Sequence, residues 1–197
     1  MVNPHEAPAA SPLGRAQGRV ALVTGPARSG KSEWAEQLAI NSQKPVIYLA
    51  TAALHPQDQE WQARLARHRQ RRPADWQLWE VPLALPATIA RAAPGHCLLV
   101  DSLGTWLANL LDQEEATWEG HLQHLVDSLQ GTPNPVILVA EETGWGVVPA
   151  YPMGRLFRDR LGQMTRRVGA IADTVYLVVA GYAVDLRQVG IQLSSPG

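Results

Sequence analysis

Residues 25–32 read GPARSGKS and follow the apolar run VALVT. The spacing is G-x-x-x-x-G-K-[ST], a loop whose backbone N–H groups converge on phosphate oxygens. The candidate phosphate-binding residues are therefore Gly25, Pro26, Ala27, Arg28, Ser29, Gly30, Lys31 and Ser32. The glycines permit close backbone approach, Lys31 reaches the terminal phosphates, and the Ser32 hydroxyl can ligate Mg²⁺ with a helix N-terminus behind it. A glycine-rich turn without ligand is the competing reading. The strand-like run before the loop and the helical pattern after it argue against that alternative.

Two further stretches carry chemistry. HCLLVD ends in Asp101; four buried apolar residues would deliver one carboxylate to the sheet's edge, where it holds Mg²⁺ or caps the following helix. Residues 63–80, ARLARHRQRRPADWQLWE, set Arg64, Arg67, Arg69, Arg71 and Arg72 around a single His68. A solvated basic helix face would look like this, and so would a nucleic-acid patch. Neutral overall charge and the lack of stacking aromatics among the arginines disfavour nucleic acid. The remaining reading is a nucleophile in an anion pocket: imidazole, with an unperturbed pKa of about 6.5, is largely neutral at pH 7 and can attack phosphorus while guanidiniums neutralise the leaving group. Glu141 and Glu142 open EETGWGVVP after an apolar run. They are candidates for a general base or a magnesium contact, or simply acidic residues that end a strand. Trp145, between Gly144 and Gly146, packs on bound ligand or covers the core, and the second is expected since large aromatics are mostly buried.

The elements that must position these residues alternate. Strand candidates are 19–24, 45–50, 96–101, 135–142 and 174–181, each apolar on consecutive positions as in strands covered on both faces. Helix candidates are 31–40, 56–70, 85–92, 103–111, 117–129 and 155–171. In the last, Leu156, Phe157, Leu161, Met164, Val168 and Ile171 line one stripe. WQLWEV (76–81) is a further strand or an anchored loop. This order predicts an α/β, P-loop NTPase-like three-layer fold with a mostly parallel central sheet.

The chain's 197 residues and 46% hydrophobic content favour one domain, over 18–190, between disordered tails at 1–17 and 191–197. A formal charge of −1 gives no global field for nucleic acid or an anionic membrane. No run approaches the length of a membrane span, the N-terminus lacks a signal-like apolar segment, and the lone Cys97 reads as a small buried hydrophobe. A cytoplasmic location is expected.

GPARSGKSEWAE, IYLATA, ARHRQRRPADWQLWE, LLVDSLGTWLANLL, EETGWGVVP and GRLFRDRLGQ…VYLVVAG occur in this order over about residues 19–188. In this the chain resembles the bifunctional adenosylcobinamide kinase / adenosylcobinamide-phosphate guanylyltransferase family of cobalamin assembly. The blocks H-R-x-x-R-P-x-x-W…E and E-x-G-x-G-x-V-P are far more specific than the P-loop. The resemblance implies phosphorylation of the aminopropanol hydroxyl of adenosylcobinamide with ATP or GTP. It then implies transfer of GMP from GTP, through a guanylylated histidine, to adenosylcobinamide phosphate.

That histidine falls on His68, with Lys31 as the other catalytic residue. The family's nucleotide contacts fall on Gly25 to Ser32, on Ala50, Thr51 and Ala52, on Arg69, Gln70, Arg71 and Arg72, and on Glu80 and Asp101. Mg²⁺ would lie at Ser32 and Asp101, and the family's trimers imply a homotrimer. Glu80 suits the N1–H and N2–H₂ donors of guanine, or is an exposed loop carboxylate. Two departures stand out: Thr165-Arg166 where members often carry Asn-Gln, and Asp101 where Glu is common. A monofunctional P-loop kinase with an inert His68, or a nucleotide-dependent switch without transfer chemistry, are the competing functions.

Overall fold

The computed structural model describes residues 19–53 and 73–193. Seven strands form one sheet: β1 (Val20–Gly25), β2 (Val46–Ala50), β3 (Gln77–Glu80), β4 (Cys97–Asp101), β5 (Val136–Glu141), β6 (Thr174–Val179) and β7 (Tyr182–Asp185). Their order is β3-β2-β4-β5-β1-β6-β7, and every pairing is parallel except β6 with β7. Helices α1 (Lys31–Asn41), α2 (Leu85–Arg91), α3 (Leu103–Ala108), α4 (Glu115–Gly131), α5 (Pro152–Ile171) and α6 (Leu186–Val189) complete the described elements. The mostly parallel α/β fold is as expected. The helix expected over 56–70 lies outside the described residues.

Consecutive apolar residues in the strands have a direct physical cause. Alternate side chains enter opposite faces, and both faces are covered. Ala21, Val23, Tyr48, Leu99, Ile137 and Val139 pack with Ala35, Leu38 and Ala39 of α1. Leu22, Leu49, Leu98, Val100, Leu138 and Ala140 pack beneath α2 to α5, around Trp106 and Trp118. Those two rings lie 6.3 Å apart, tilted by 48°. Truncating a buried leucine in such a core costs about 2–5 kcal/mol.

The expected elements differ from the observed ones mainly at their ends. The run 76–81 is a strand, β3, parallel to β2 and exposed at the sheet edge. β6 stops at Val179 rather than at Gly181, because Ala180 and Gly181 both have positive φ (50° and 81°) and make a two-residue turn into β7. Positive φ at both central positions matches the right-handed twist of paired strands. α5 starts at Pro152, where a missing N–H costs nothing. Of its predicted stripe, Leu161, Met164 and Val168 are buried while Leu156 is exposed. The buried Arg160 beside that stripe donates to the carbonyls of Leu111 (3.1 Å) and Gln113 (2.9 Å) and to Glu115 (3.0 Å). Its guanidinium carbon also sits 5.5 Å from the Trp118 ring centroid.

Candidate active site

The loop between β1 and α1 is shaped by its neighbours. A Cβ on Gly25 would stand 2.2 Å from the Val178 carbonyl oxygen of β6, so no other residue fits while β1 and β6 stay paired. Arg28 and Gly30 have φ of 60° and 97°, which turns the chain so that α1 starts at Lys31. The buried Lys31 donates from Nζ to the Pro26 carbonyl at 3.2 Å, spanning the loop. Ser29 Oγ is buried without a hydrogen-bond partner. Such an orphaned hydroxyl within a loop of backbone amides and an ammonium fits an anionic ligand that supplies the missing oxygen.

Asp101 ends β4, and its Oδ2 accepts from the Tyr48 hydroxyl at 2.8 Å. It does not cap the next helix. The cap of α3 is Ser102, whose Oγ accepts from Thr105 N while Thr105 Oγ1 accepts from Ser102 N. Of the two readings open for Asp101 in the sequence, the cap is thereby removed. The Ser32 hydroxyl at the start of α1 and the Asp101 carboxylate are both oxygen donors, the set that suits Mg²⁺ bound by one or two protein ligands together with phosphates.

Behind Asp101 lies a polar lock. Thr51, fully buried, donates from Oγ1 to the Ser102 carbonyl (2.6 Å) and accepts from Ser102 N (2.9 Å). Its hydroxyl also meets Thr105 Oγ1 at 2.5 Å, and Asn109 Nδ2 donates to the Thr51 carbonyl (2.8 Å) and the Pro82 carbonyl (2.9 Å). The end of β2 is thus tied to the end of β4. Thr51, expected to contact nucleotide, spends its side chain inside the protein, whereas Ala50 and Ala52 on either side are partly exposed.

Glu141 and Glu142, adjacent in sequence, are held apart. Glu142 Oε1 accepts from Thr24 Oγ1 at 2.7 Å. Glu141 Oε1 accepts from Ser102 Oγ at 2.5 Å and Oε2 from the Gly104 amide at 3.0 Å. A Cβ on Gly104 would stand 2.1 Å from that Oε2, so glycine is required for the contact. Burial raises the Glu141 pKa; the Ser102 hydrogen bond opposes the rise, the Asp101 charge adds to it, and Lys31 opposes it. Ser102 and Gly104 were missed in the sequence, although S-x-x-T directly after a strand-end acid is a capping signal.

Register places the remaining candidates. Ala50 pairs with Asp101 on one side and with Glu80 on the other, while Gly25 pairs with Glu141. All lie at the carboxyl ends of parallel strands, where open α/β sheets bind ligands. Gly25 and Glu80 are four strand spacings apart, about 19 Å. Glu80 is exposed on β3. His68, Arg69, Gln70, Arg71 and Arg72 lie outside the described residues, as do Arg64 and Arg67. Trp145, expected to cover the core, is 62% exposed; Val147, Val148 and Tyr151 beyond it are exposed too. The loop runs outward from the sheet edge, so a ring in it has nothing of the core to pack on.

A P-loop between β1 and α1, a strand-end aspartate on β4 and a parallel sheet with helices on both faces define a P-loop NTPase-like nucleotide-binding protein. The fold likeness extends to a Pyrococcus horikoshii protein known from a structural study (TM-score 0.57, 8% identity, 93% of this chain and 95% of that one). Within the class, the chain belongs to the cobinamide kinase / cobinamide phosphate guanyltransferase family, whose sequence profile matches residues 21–186. It is 42% identical over 168 residues to the bifunctional adenosylcobalamin biosynthesis protein CobP of Pseudomonas aeruginosa, covering 84% of this chain and 96% of that one. It is 36% identical over 181 residues to the bifunctional adenosylcobalamin biosynthesis protein CobU of Salmonella typhimurium, with 84% and 98% covered. Family membership makes the chain an enzyme of cobalamin biosynthesis, with nucleotide and cobinamide as its substrates. Among the described residues no helix is long and apolar enough to cross a membrane.

Proposed function

We propose that this chain phosphorylates adenosylcobinamide at the P-loop and then, through a guanylylated His68, transfers GMP from GTP to the new phosphate, giving adenosylcobinamide-GDP. The observation that carries the reading is the single sheet edge shared by the Lys31 loop, Asp101, Ala50 and Glu80. Lys31, now on the Pro26 carbonyl, would turn to the terminal phosphates, and Ser29 Oγ would gain its partner. Ser32 and Asp101 would hold Mg²⁺, which supplies charge neutralisation on the phosphates when bound. The unprotonated ring nitrogen of His68 would form a bond to the α-phosphorus as the α–β bridging oxygen leaves with pyrophosphate. An oxygen of cobinamide phosphate would then take the guanylyl group, and the P–N bond would break to return the imidazole.

Arg69, Gln70, Arg71 and Arg72 would steady the phosphates near that bond. Ala50 and Ala52 would line the nucleotide, with the buried Thr51 between them fixing the segment through Ser102. Glu80 would accept the donors of guanine. A homotrimer in the cytoplasm belongs to the same reading, and the exposed Trp145, Val147, Val148 and Tyr151 are apolar surface that subunit contact could bury; light scattering during gel filtration reads the subunit count. The central experiment is incubation with α-labelled GTP. An acid-labile, base-stable adduct that is lost in His68→Ala supports the reading. Persistent cobinamide phosphorylation without any adduct would leave a plain kinase.

A further inference from the structure

The two half-reactions differ in one proton. The first acceptor is an alcohol, which must lose its hydrogen on bonding to phosphorus; the second is a phosphate oxygen, which carries none that must leave at neutral pH. A proton acceptor is therefore needed at the kinase step alone. We infer that Glu141 is that acceptor, a catalytic residue of the phosphorylation and not of the guanylyl transfer.

Placement supports this in three ways. Glu141 sits opposite Gly25, the first residue of the phosphate loop, in the neighbouring strand. By strand alternation its Cβ follows Ile137 and Val139, while its carboxylate is held at the N-terminus of α3, where the Lys31 charge also acts on it. Glu142 continues the Leu138, Ala140 series on the other face and is engaged by Thr24. The Glu141 carboxylate is also aimed: Ser102 Oγ and the Gly104 amide each take one oxygen, and only glycine at 104 leaves room. Asp101, at the end of the neighbouring strand, is the carboxylate placed at Mg²⁺ in the proposed function, and Lys31 is the cation acting on Glu141. Burial of Glu141, with the Asp101 charge nearby, strengthens it as a base relative to a solvated carboxylate.

The step balances. The acceptor oxygen bonds to the γ-phosphorus, and the bond to the β–γ bridging oxygen breaks with its electron pair on the nucleoside diphosphate. The hydroxyl proton passes to a Glu141 oxygen and from there to solvent.

The inference rests on the kinase half of the proposed function, and measuring the half-reactions apart separates the two. Full-length wild type and Glu141→Gln are compared in transfer of γ-label from ATP to cobinamide and in transfer of α-label from GTP to cobinamide phosphate supplied ready-made. The expected result is a fall in kinase kcat of about 10²–10⁴-fold, loss of the acidic limb of its pH profile, and guanylyl transfer within about threefold of wild type. Gly104→Ala, which pushes the carboxylate aside while leaving it present, should lower the kinase step selectively by a smaller factor. An equal loss of both activities in Glu141→Gln, or an unchanged kinase step, overturns the inference. Failure of wild type to form the histidine adduct would overturn the proposed guanylyl transfer and leave the kinase comparison standing.

Discussion

Thr51→Val is the substitution that best separates a structural from a ligand-binding role at the sheet edge. The change is nearly isosteric and removes one hydroxyl from a fully buried site. That hydroxyl donates to the Ser102 carbonyl at 2.6 Å, accepts from Ser102 N at 2.9 Å and meets Thr105 Oγ1 at 2.5 Å. Neither Ser102 group is left bare, because Thr105 Oγ1 also lies 3.1 Å from Ser102 N and 3.0 Å from Ser102 O. The loss is therefore smaller than three separate bonds would suggest: about 1–3 kcal/mol, the range for disturbing buried hydrogen-bonded groups. For a chain of this size about 2 kcal/mol lowers Tm by about 4–8 °C. Thermal unfolding of the ligand-free protein reads this term, and titration with GTP or ATP reads affinity. The expected pattern is a lowered Tm with Kd changed by less than about threefold, roughly 0.65 kcal/mol. An unchanged Tm together with a tenfold or greater loss of nucleotide affinity would refute the argument and show that the hydroxyl faces the ligand.

Gly25→Ala sets a Cβ against the Val178 carbonyl oxygen, a backbone atom that cannot turn aside. It should cost about 1–3 kcal/mol in denaturant unfolding and more than tenfold in nucleotide affinity by calorimetry. Glu80→Gln, at an exposed position, should leave Tm within about 1 °C and lower the preference for GTP over ATP; an unchanged preference sinks the guanine assignment. Because burial raises the Glu141 pKa, between the ordinary carboxylate value and that raised value the folded protein keeps a proton that the unfolded chain has lost. Its contribution to stability is thus full below the ordinary value and declines as pH rises through the folded one. Glu141→Gln should flatten this decline in urea midpoints measured across that window.

How much could be read from the residues depended on whether burial was one-sided or two-sided. Five central strands were legible because both faces are covered, leaving unbroken apolar runs such as VALVT and VILVA. β7 was not, since YAVD is a four-residue exposed edge whose only cue is the turn at Ala180 and Gly181, read instead as the end of β6. Arg160 escaped for another reason: composition rules place arginine outside, and only the carbonyls left by the 109–113 turn explain why this one is buried. Trp145 failed in the opposite sense, a large aromatic in a loop that leads away from the core. The position of the loop between β1 and α1 was legible because its glycines and flanking runs are local signals. The Ser102 cap is local as well, carried by S-x-x-T, but its tie to Thr51 was not legible, because Thr51 arrives from the end of another strand.

Glu141 and Glu142 carry this distinction into the chemistry. Composition cannot rank two adjacent carboxylates, and a solvent-facing loop would make them interchangeable. Attached to a two-sided strand they are not: Ile137 and Val139 fix one face, Leu138 and Ala140 the other, so a one-residue offset leaves Glu141 to Ser102 and Gly104 and Glu142 to Thr24. A shift of β5 by one residue against β1 would exchange the two glutamates, but it would also turn every core side chain of the strand to the wrong face. Several buried aliphatic contacts thus hold the choice of carboxylate, which makes the placement of the kinase base a consequence of core packing. Gly104 then settles the remaining freedom, the rotamer, by admitting the carboxylate to its amide.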